Sequence, residues 1–186
     1  ATIKEFGGGD KLVVNAGGPP AGRFENFKDE DWQAAFELNL LSAIRMIRAT
    51  LPSMRQRGGG SVLTITSMSV KEPIDALILS NVMRSGVTSL IKSLSTQLAS
   101  DKIRLNNLMP GRIKTDRIKH LDSLNAKKQG VSIEQIEKSS QALIPLGRYG
   151  TIEEFGRCGA FLLSDAASYI TGSSLAADGG MMKTVW

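Results

Sequence analysis

The sequence predicts an α/β protein built on a parallel sheet with crossover helices. Short runs of strand composition recur along the chain, at residues 11–15 (KLVVN), 61–67 (SVLTITS), 103–109 (IRLNNLM) and 174–178 (SLAAD). Each is followed by turn formers, such as Ala16-Gly17-Gly18-Pro19-Pro20, Pro110-Gly111 and Gly179-Gly180. Between the runs stand longer stretches whose apolar residues return every three or four positions, the rhythm of amphipathic helices. Strand and helix alternating in this way imply parallel strands joined over the faces of one sheet.

Taken in order, residues 2–6 end a helix that Gly7-Gly8-Gly9 closes. The run 11–15 is continuously apolar after Lys11, so the strand is expected to be buried on both faces. Residues 28–57 form a long helix. Asp29, Glu30 and Asp31 favour its start through the dipole, and Phe36, Leu40, Ala43, Ile47, Leu51 and Met54 make its core stripe. Pro52 predicts a kink or a second short piece near the end. Residues 61–67 carry Val62, Leu63 and Ile65 with two threonines, the composition of a buried strand. The helix over 74–99 places Met83, Val87, Leu90, Ile91, Leu94 and Leu98 on one face. Residues 112–144 are polar and helix-prone, and too long for a passive loop, so they read as a mobile helical flap over a site. Thr151 and Glu154 have capping-box spacing and open a last helix, 151–163. Nothing splits the chain: residues 1–186 form one domain, with the flap at 112–145 inside it.

Composition excludes several classes. Apolar residues at 41% and charged residues at 22% are those of a folded globular protein rather than a disordered one. No apolar run is long enough to span a membrane, and the first residues lack a basic-then-apolar signal pattern. Cys158 is the single cysteine, which excludes an internal disulfide and fits a reducing, cytoplasmic setting. Between Phe155 and Phe161 it reads as a core thiol. The net charge of +5 raises nucleic acid as a partner. The basic residues are scattered, however, and Arg45, Arg48, Arg55 and Arg57 read as a solvated helix face, so no nucleic-acid partner is expected. Attraction of an anionic nucleotide is a milder use of the same charge. The single histidine, His120, has no partner at ligand spacing, and no metal site is expected. Neither triple glycine, at 7–9 or 58–60, follows a strand and opens a helix, so neither is a dinucleotide loop.

The most informative stretch is the strand at 61–67. It ends in a hydroxyl, Ser67, and feeds a helix, which is where open α/β sheets place their active sites. Around it the chain resembles the short-chain dehydrogenases and reductases. Asn15-Ala16-Gly17 is similar to the family's Asn-Ala-Gly turn, and Asn39 with Ser42 to its Asn-x-x-Ser. Ser67 matches the catalytic serine. Pro110-Gly111 with Ile113 and Thr115 matches the segment that contacts the nicotinamide end of the cofactor. The tail LGRYGTIEEF…ITGSSLAADGG matches the C-terminal signature.

The resemblance implies a Rossmann-like doubly wound parallel sheet, of which this chain carries the C-terminal portion, about strands 4 to 7 and their helices. It implies NAD or NADP as cofactor, a carbonyl or alcohol substrate, and a homodimer or homotetramer built on helices 28–57 and 74–99. Asn15, Ala16, Gly17, Arg84, Pro110, Gly111, Ile113 and Thr115 would contact the cofactor. Ser67, Asn39, Ser80 and Arg84 would form the catalytic group, Ser67 orienting the substrate oxygen and Asn39 holding a water.

Two departures bear on the reaction. In the register that starts at Ser67, the family's Tyr-x-x-x-Lys falls on Ser80 and Arg84. A serine hydroxyl is a much weaker acid than a phenol, and arginine does not shuttle protons. Arg84 can still stabilise an oxyanion. The family's first strands and its phosphate-binding turn do not precede residue 11, which leaves 11–15 as a sheet edge. The chain is therefore expected to belong to a longer polypeptide, and the choice between NAD and NADP is not legible. Besides hydride transfer, two alternatives stay open: a catalytically silent ligand-binding or oligomeric scaffold, and another reaction on the same cofactor.

Overall fold

In the computed structural model, which describes residues 2–185, four strands form one sheet. They are β1 (Lys11–Asn15), β2 (Gly60–Ile65), β3 (Ile103–Pro110) and β4 (Ser174–Ala177), in that spatial order and all parallel. The helices are α1 (Thr2–Phe6), α2 (Asp29–Ala35), α3 (Ser42–Gln56), α4 (Ile78–Gln97), α5 (Asp116–Gln129), α6 (Ile133–Ala142) and α7 (Ile152–Leu163). Alternation along the strands divides the apolar residues between two faces. Val14, Val62, Ile103 and Leu105 meet Ala43, Ile47 and Met54 of α3 and Val87 and Ile91 of α4. Leu63 and Leu108 point the other way, to Leu162, Phe155 and Cys158 of α7. Helices on both faces make the sheet doubly wound, as expected.

Strand β1 departs from expectation. It is covered on one face only: Val14 is 4% exposed, whereas Val13, on the α7 side, is 48% exposed. The helix on that side, α7, packs on β2 and β3. Among the described residues β1 pairs with β2 alone, so it is an edge.

The helix expected over 28–57 is α2 and α3 joined by a wide turn, Phe36–Leu41, in which the Ser42 N–H donates to the Glu37 carbonyl five residues back. The helix is divided around Asn39 rather than at Pro52. Helix α3 runs through Pro52 without a break. Pro52 lies on an exposed face, where the carbonyl it leaves unpaired, that of exposed Arg48, meets water. Strand β2 ends at Ile65, two residues before Ser67, and α4 starts at Ile78 rather than at 74.

The flap consists of α5 and α6, packed on each other. Thr115 caps α5, Gly130 closes it in the left-handed conformation (φ 67°), and Ser132 with Gln135 opens α6 as a capping box. A buried polar knot ties α5 to its flanks. Asp122, with no exposed surface, accepts from Arg112 Nη1 and from the Tyr149 hydroxyl, each at 2.9 Å. Helix α7 opens on the expected box: Glu154 N–H donates to Thr151 Oγ1 at 3.2 Å, and Thr151 N–H to Glu154 Oε2 at 2.8 Å. Arg148 adds an ion pair at 2.7 Å, and with the Thr151 bond it holds the Glu154 carboxyl down at about 2.

Arg45, Arg48, Arg55, Arg57 and His120 are exposed, and Cys158 is half-buried against the α7 core. Among the described residues no helix is long and apolar enough to cross a membrane, and no three His, Cys, Asp or Glu residues group as metal ligands.

Candidate active site

The strands all end at one rim, and a cleft of about 590 Å³ opens there. Its floor is Asn15 at the end of β1 with Ala16 and Gly17 beyond it, Thr66 and Ser67 after β2, and Pro110 at the end of β3 with Gly111 beyond it. Helix α4 contributes Ser80 and Arg84. The flap contributes Thr115, Arg117, Ile118 and Leu121, and Ile113, Ile152 and Phe155 complete an apolar wall. This gathering follows from topology, because parallel strands carry all their C-terminal loops to one edge.

Ser67 stays extended (φ −159°, ψ 153°) beyond β2 and accepts the N–H of Ser69 at 3.1 Å. That bond uses a lone pair, so the hydroxyl proton remains available to the cleft. Ser80 is buried and lies one helical turn before Arg84, whose Nε donates to Ser80 Oγ at 3.2 Å. With a guanidinium behind its lone pair, the Ser80 hydroxyl is left as a donor. The remaining Arg84 bonds pin the floor: Nη1 donates to the carbonyls of Ile65 (3.0 Å) and Thr66 (3.1 Å), and Nη2 to that of Ala16 (3.3 Å). One Nη2 hydrogen is left over. Burial first, and the Arg117 guanidinium second, hold the Arg84 pKa below the ordinary arginine value. An arginine so held remains charged.

Asn39 does not line this cleft. It is buried behind the floor, where Nδ2 donates to the Gly17 carbonyl at 2.7 Å. Its Oδ1 and the Thr66 hydroxyl have no protein partner. Both residues border a void of about 10 Å³ that Ala16 and Arg84 also line. A polar void of that size fits a single water.

The remaining residues singled out in the sequence act through backbone and shape. The Gly111 N–H donates to Ala177 at 3.0 Å, and a Cβ on Gly111 would lie 2.5 Å from the Asp178 Cα, so only glycine fits. Ile113 is fixed between two backbone bonds that join its neighbours Arg112 and Lys114 to Gly150. Thr115 Oγ1 accepts the Ile118 N–H at 3.4 Å. Asn15 is exposed at the end of the edge strand. The structure thus brings Ser67, Ser80, Arg84 and the loop residues together and sets Asn39 one layer back. Arg117 was missed. The signal for it was a cation in the first turn of a helix, where the dipole disfavours positive charge.

A family profile described as enoyl-(acyl carrier protein) reductase matches residues 1–182. The chain belongs to the short-chain dehydrogenase/reductase family. It is 34% identical over 176 residues to the NADPH-dependent reductase BacG of Bacillus subtilis (strain 168), covering 95% of this chain and 68% of that protein. It is also 34% identical to a 3alpha-hydroxysteroid dehydrogenase of Mediterraneibacter gnavus, covering 95% and 66%. The crystal structure of L-sorbose reductase from Gluconobacter frateurii, complexed with NADPH and L-sorbose, superposes with a TM-score of 0.93 at 32% identity, covering 99% of this chain and 70% of that one. The chain therefore spans about two thirds of the length of these relatives. The doubly wound fold is theirs as well.

Proposed function

We propose that this protein is an NAD(P)-dependent oxidoreductase that transfers hydride between a nicotinamide cofactor and a carbonyl or alcohol substrate. The observation that carries the reading is the Arg84-to-Ser80 bond at the cleft that also holds Ser67, two hydroxyl donors facing one space. The relatives named for NADPH-dependent reduction support it.

The residues present fit the nicotinamide half of such a cofactor. Ala16 and Gly17 offer a floor without long side chains, Pro110 and Ile113 an apolar wall, and Thr115 a hydroxyl whose own proton is free. Bound there, the nicotinamide supplies or takes the hydride. The chain's part is electrostatic. Ser67 and Ser80 donate to the substrate oxygen, and Arg84 strengthens the Ser80 donor as negative charge grows on that oxygen. Ser80 and Arg84 stand in for the family's tyrosine and lysine. Serine is not itself acidic enough to ionise, so in reduction the Ser80 hydroxyl passes its proton to the substrate oxygen only as it takes one from water in the open cleft, and in oxidation the relay runs in reverse. Asn39 holds the Gly17 loop from behind and, with Thr66, a water in the small void. We assign the cofactor contacts to Asn15, Ala16, Gly17, Pro110, Gly111, Ile113, Thr115 and the last Nη2 hydrogen of Arg84. Residues 112–145 form the substrate flap within a single domain. We further propose a cytoplasmic homo-oligomer built on α3 and α4, whose outer faces leave Met46 42% and Val82 47% exposed. Against a silent scaffold stand Asn39, Ser67 and the Pro110-Gly111 segment, which a scaffold does not need.

Titration of the complete protein with NADH and NADPH by cofactor fluorescence tests the reading. No binding at millimolar cofactor would remove it. Where turnover is found, Ser67→Ala is expected to lower kcat by at least about a hundredfold, and Ser80→Ala by less. Equal activity of wild type and Ser67→Ala would overturn the role given to Ser67.

A further inference from the structure

Arg117 reaches from the first turn of α5 across the cleft to the β1 rim. A Cβ placed on Gly18 would lie 2.5 Å from Arg117 Nη2 and 3.2 Å from Nη1 and Cζ. A flap cation therefore rests against Gly18, the residue that follows the cleft floor. The carboxylates around it are engaged elsewhere. Asp116 pairs with Lys119 at 3.4 Å, and Asp178, beside Gly111, accepts the N–H groups of Gly180 and Met182. Among the described residues neither Arg117 nor Arg84 forms an ion pair with a carboxylate. No Asp or Glu lines the cleft. Two guanidiniums on a partly apolar concave wall, without a counter-charge, concentrate positive potential on whatever enters.

We infer that Arg117 binds an anionic group, a phosphate or a carboxylate, of the ligand that occupies this cleft. The Arg117 side chain makes no hydrogen bond to the protein among the described residues, so its planar fork is free to meet two oxygens of an oxyanion side by side. Arg84, with most of its N–H groups committed to carbonyls, adds charge more than contact. The anion has two possible sources under the oxidoreductase reading on which this inference rests: the diphosphate of the dinucleotide, since Thr115 and Gly17 stand next to Arg117 and Gly18, or an acid group on the substrate.

Arg117→Gln and Arg117→Lys of the complete protein separate these sources. Calorimetric titration would use NADPH and inorganic pyrophosphate as probes, and turnover would be compared for benzoylformate and its methyl ester. Arg117→Gln is expected to weaken its oxyanion by roughly ten- to a hundredfold, with Arg117→Lys recovering part of the loss. Weakening of NADPH and pyrophosphate together identifies the dinucleotide diphosphate. Unchanged NADPH binding, with KM for the acid raised toward that of the ester and kcat little altered, identifies a substrate acid. Identical behaviour of Arg117→Gln and wild type toward all three charged probes would overturn the inference. Wild type that binds pyrophosphate but not NADPH would sink the oxidoreductase reading and leave the anion site standing. Arg117 is exposed, and a thermal melt equal to that of wild type checks that the variants fold.

Discussion

The two walls of the cleft are built from different physics. The wall that carries Ser67, Ser80 and Arg84 rests on a dry core, in which Ile47, Met54, Val62, Leu79, Ile91 and Leu105 are at most 2% exposed. The opposite wall, α5 and α6, buries only Ala126 and Ile136 among its apolar residues, leaves Leu121 and Leu124 at least 40% exposed, and is fastened by the Arg112–Asp122–Tyr149 knot. Dispersion and hydrophobic burial are non-directional and collective, so the first wall resists displacement of any one atom. A hydrogen-bonded knot depends on a few directed contacts, so the second wall can be released at one point. The residues proposed to polarise the reacting oxygen stand on the stiff wall, and the arginine proposed to grip the ligand stands on the releasable one.

The contrast can be broken in several places. The largest effect is expected from Ile91→Ala, which empties a fully buried site between α4 and the sheet and should cost about 3–4 kcal/mol in denaturant unfolding. Both walls should melt together. Asp122→Ala is next: it leaves the Tyr149 hydroxyl and the partly exposed Arg112 without their acceptor and should cost about 2 kcal/mol. Here proteolysis within residues 116–142 should rise while hydrogen exchange in β2 and α4 stays slow. Equal loosening of both walls would refute the division. Alkali offers a milder version. Burial, ahead of its hydrogen bonds, raises the Tyr149 pKa above its ordinary value of 10. The stability it contributes is therefore complete below pH 10 and lost as pH climbs through the raised value, so the flap should loosen before the core. The smallest effect is at α7. Glu154 is depressed to about 2 from 4.5, so its contribution is present above about pH 4.5 and fades as pH falls toward 2. Thermal melts at pH 5 and pH 3 should differ, and Glu154→Gln should make that difference slightly smaller.

Much of the stiff wall could be read in the sequence, because its logic is local. A short apolar run closed by Gly or Pro is a buried strand wherever it occurs, and Met83, Val87 and Ile91 declare the buried face of α4 by spacing alone. The same holds for the Thr151–Glu154 box, and for Ser67 to within the two residues that separate it from the end of β2. The releasable wall was legible only as helical. Its knot joins residues 112, 122 and 149, whose pairing depends on how three segments meet and leaves no periodic trace. Arg117 was hidden for a like reason, since the glycine it rests against is nearly a hundred positions away. The expectation for β1 failed because apolar composition was taken to mean two covered faces, whereas burial depends on which helix lies over each face. Pro52 does not split the helix into two pieces because the penalty for proline falls on a carbonyl that, on an exposed face, water can satisfy.

The wide turn at Phe36–Leu41 also sets the phase of the long helix. An extra residue in one turn rotates everything after it relative to an unbroken α-helix. Ahead of the turn, Ala35 and Trp32 face Leu79 and Met83; behind it, Ala43 and Ile47 face Val87 and Ile91. The turn thus lets one rod serve two successive docking sites on α4 while carrying Asn39 inward to Gly17. Deleting a single residue from it would swing one half by about 100° and set one of those seams against water, so this segment should tolerate exchange of side chains far better than any change in its length.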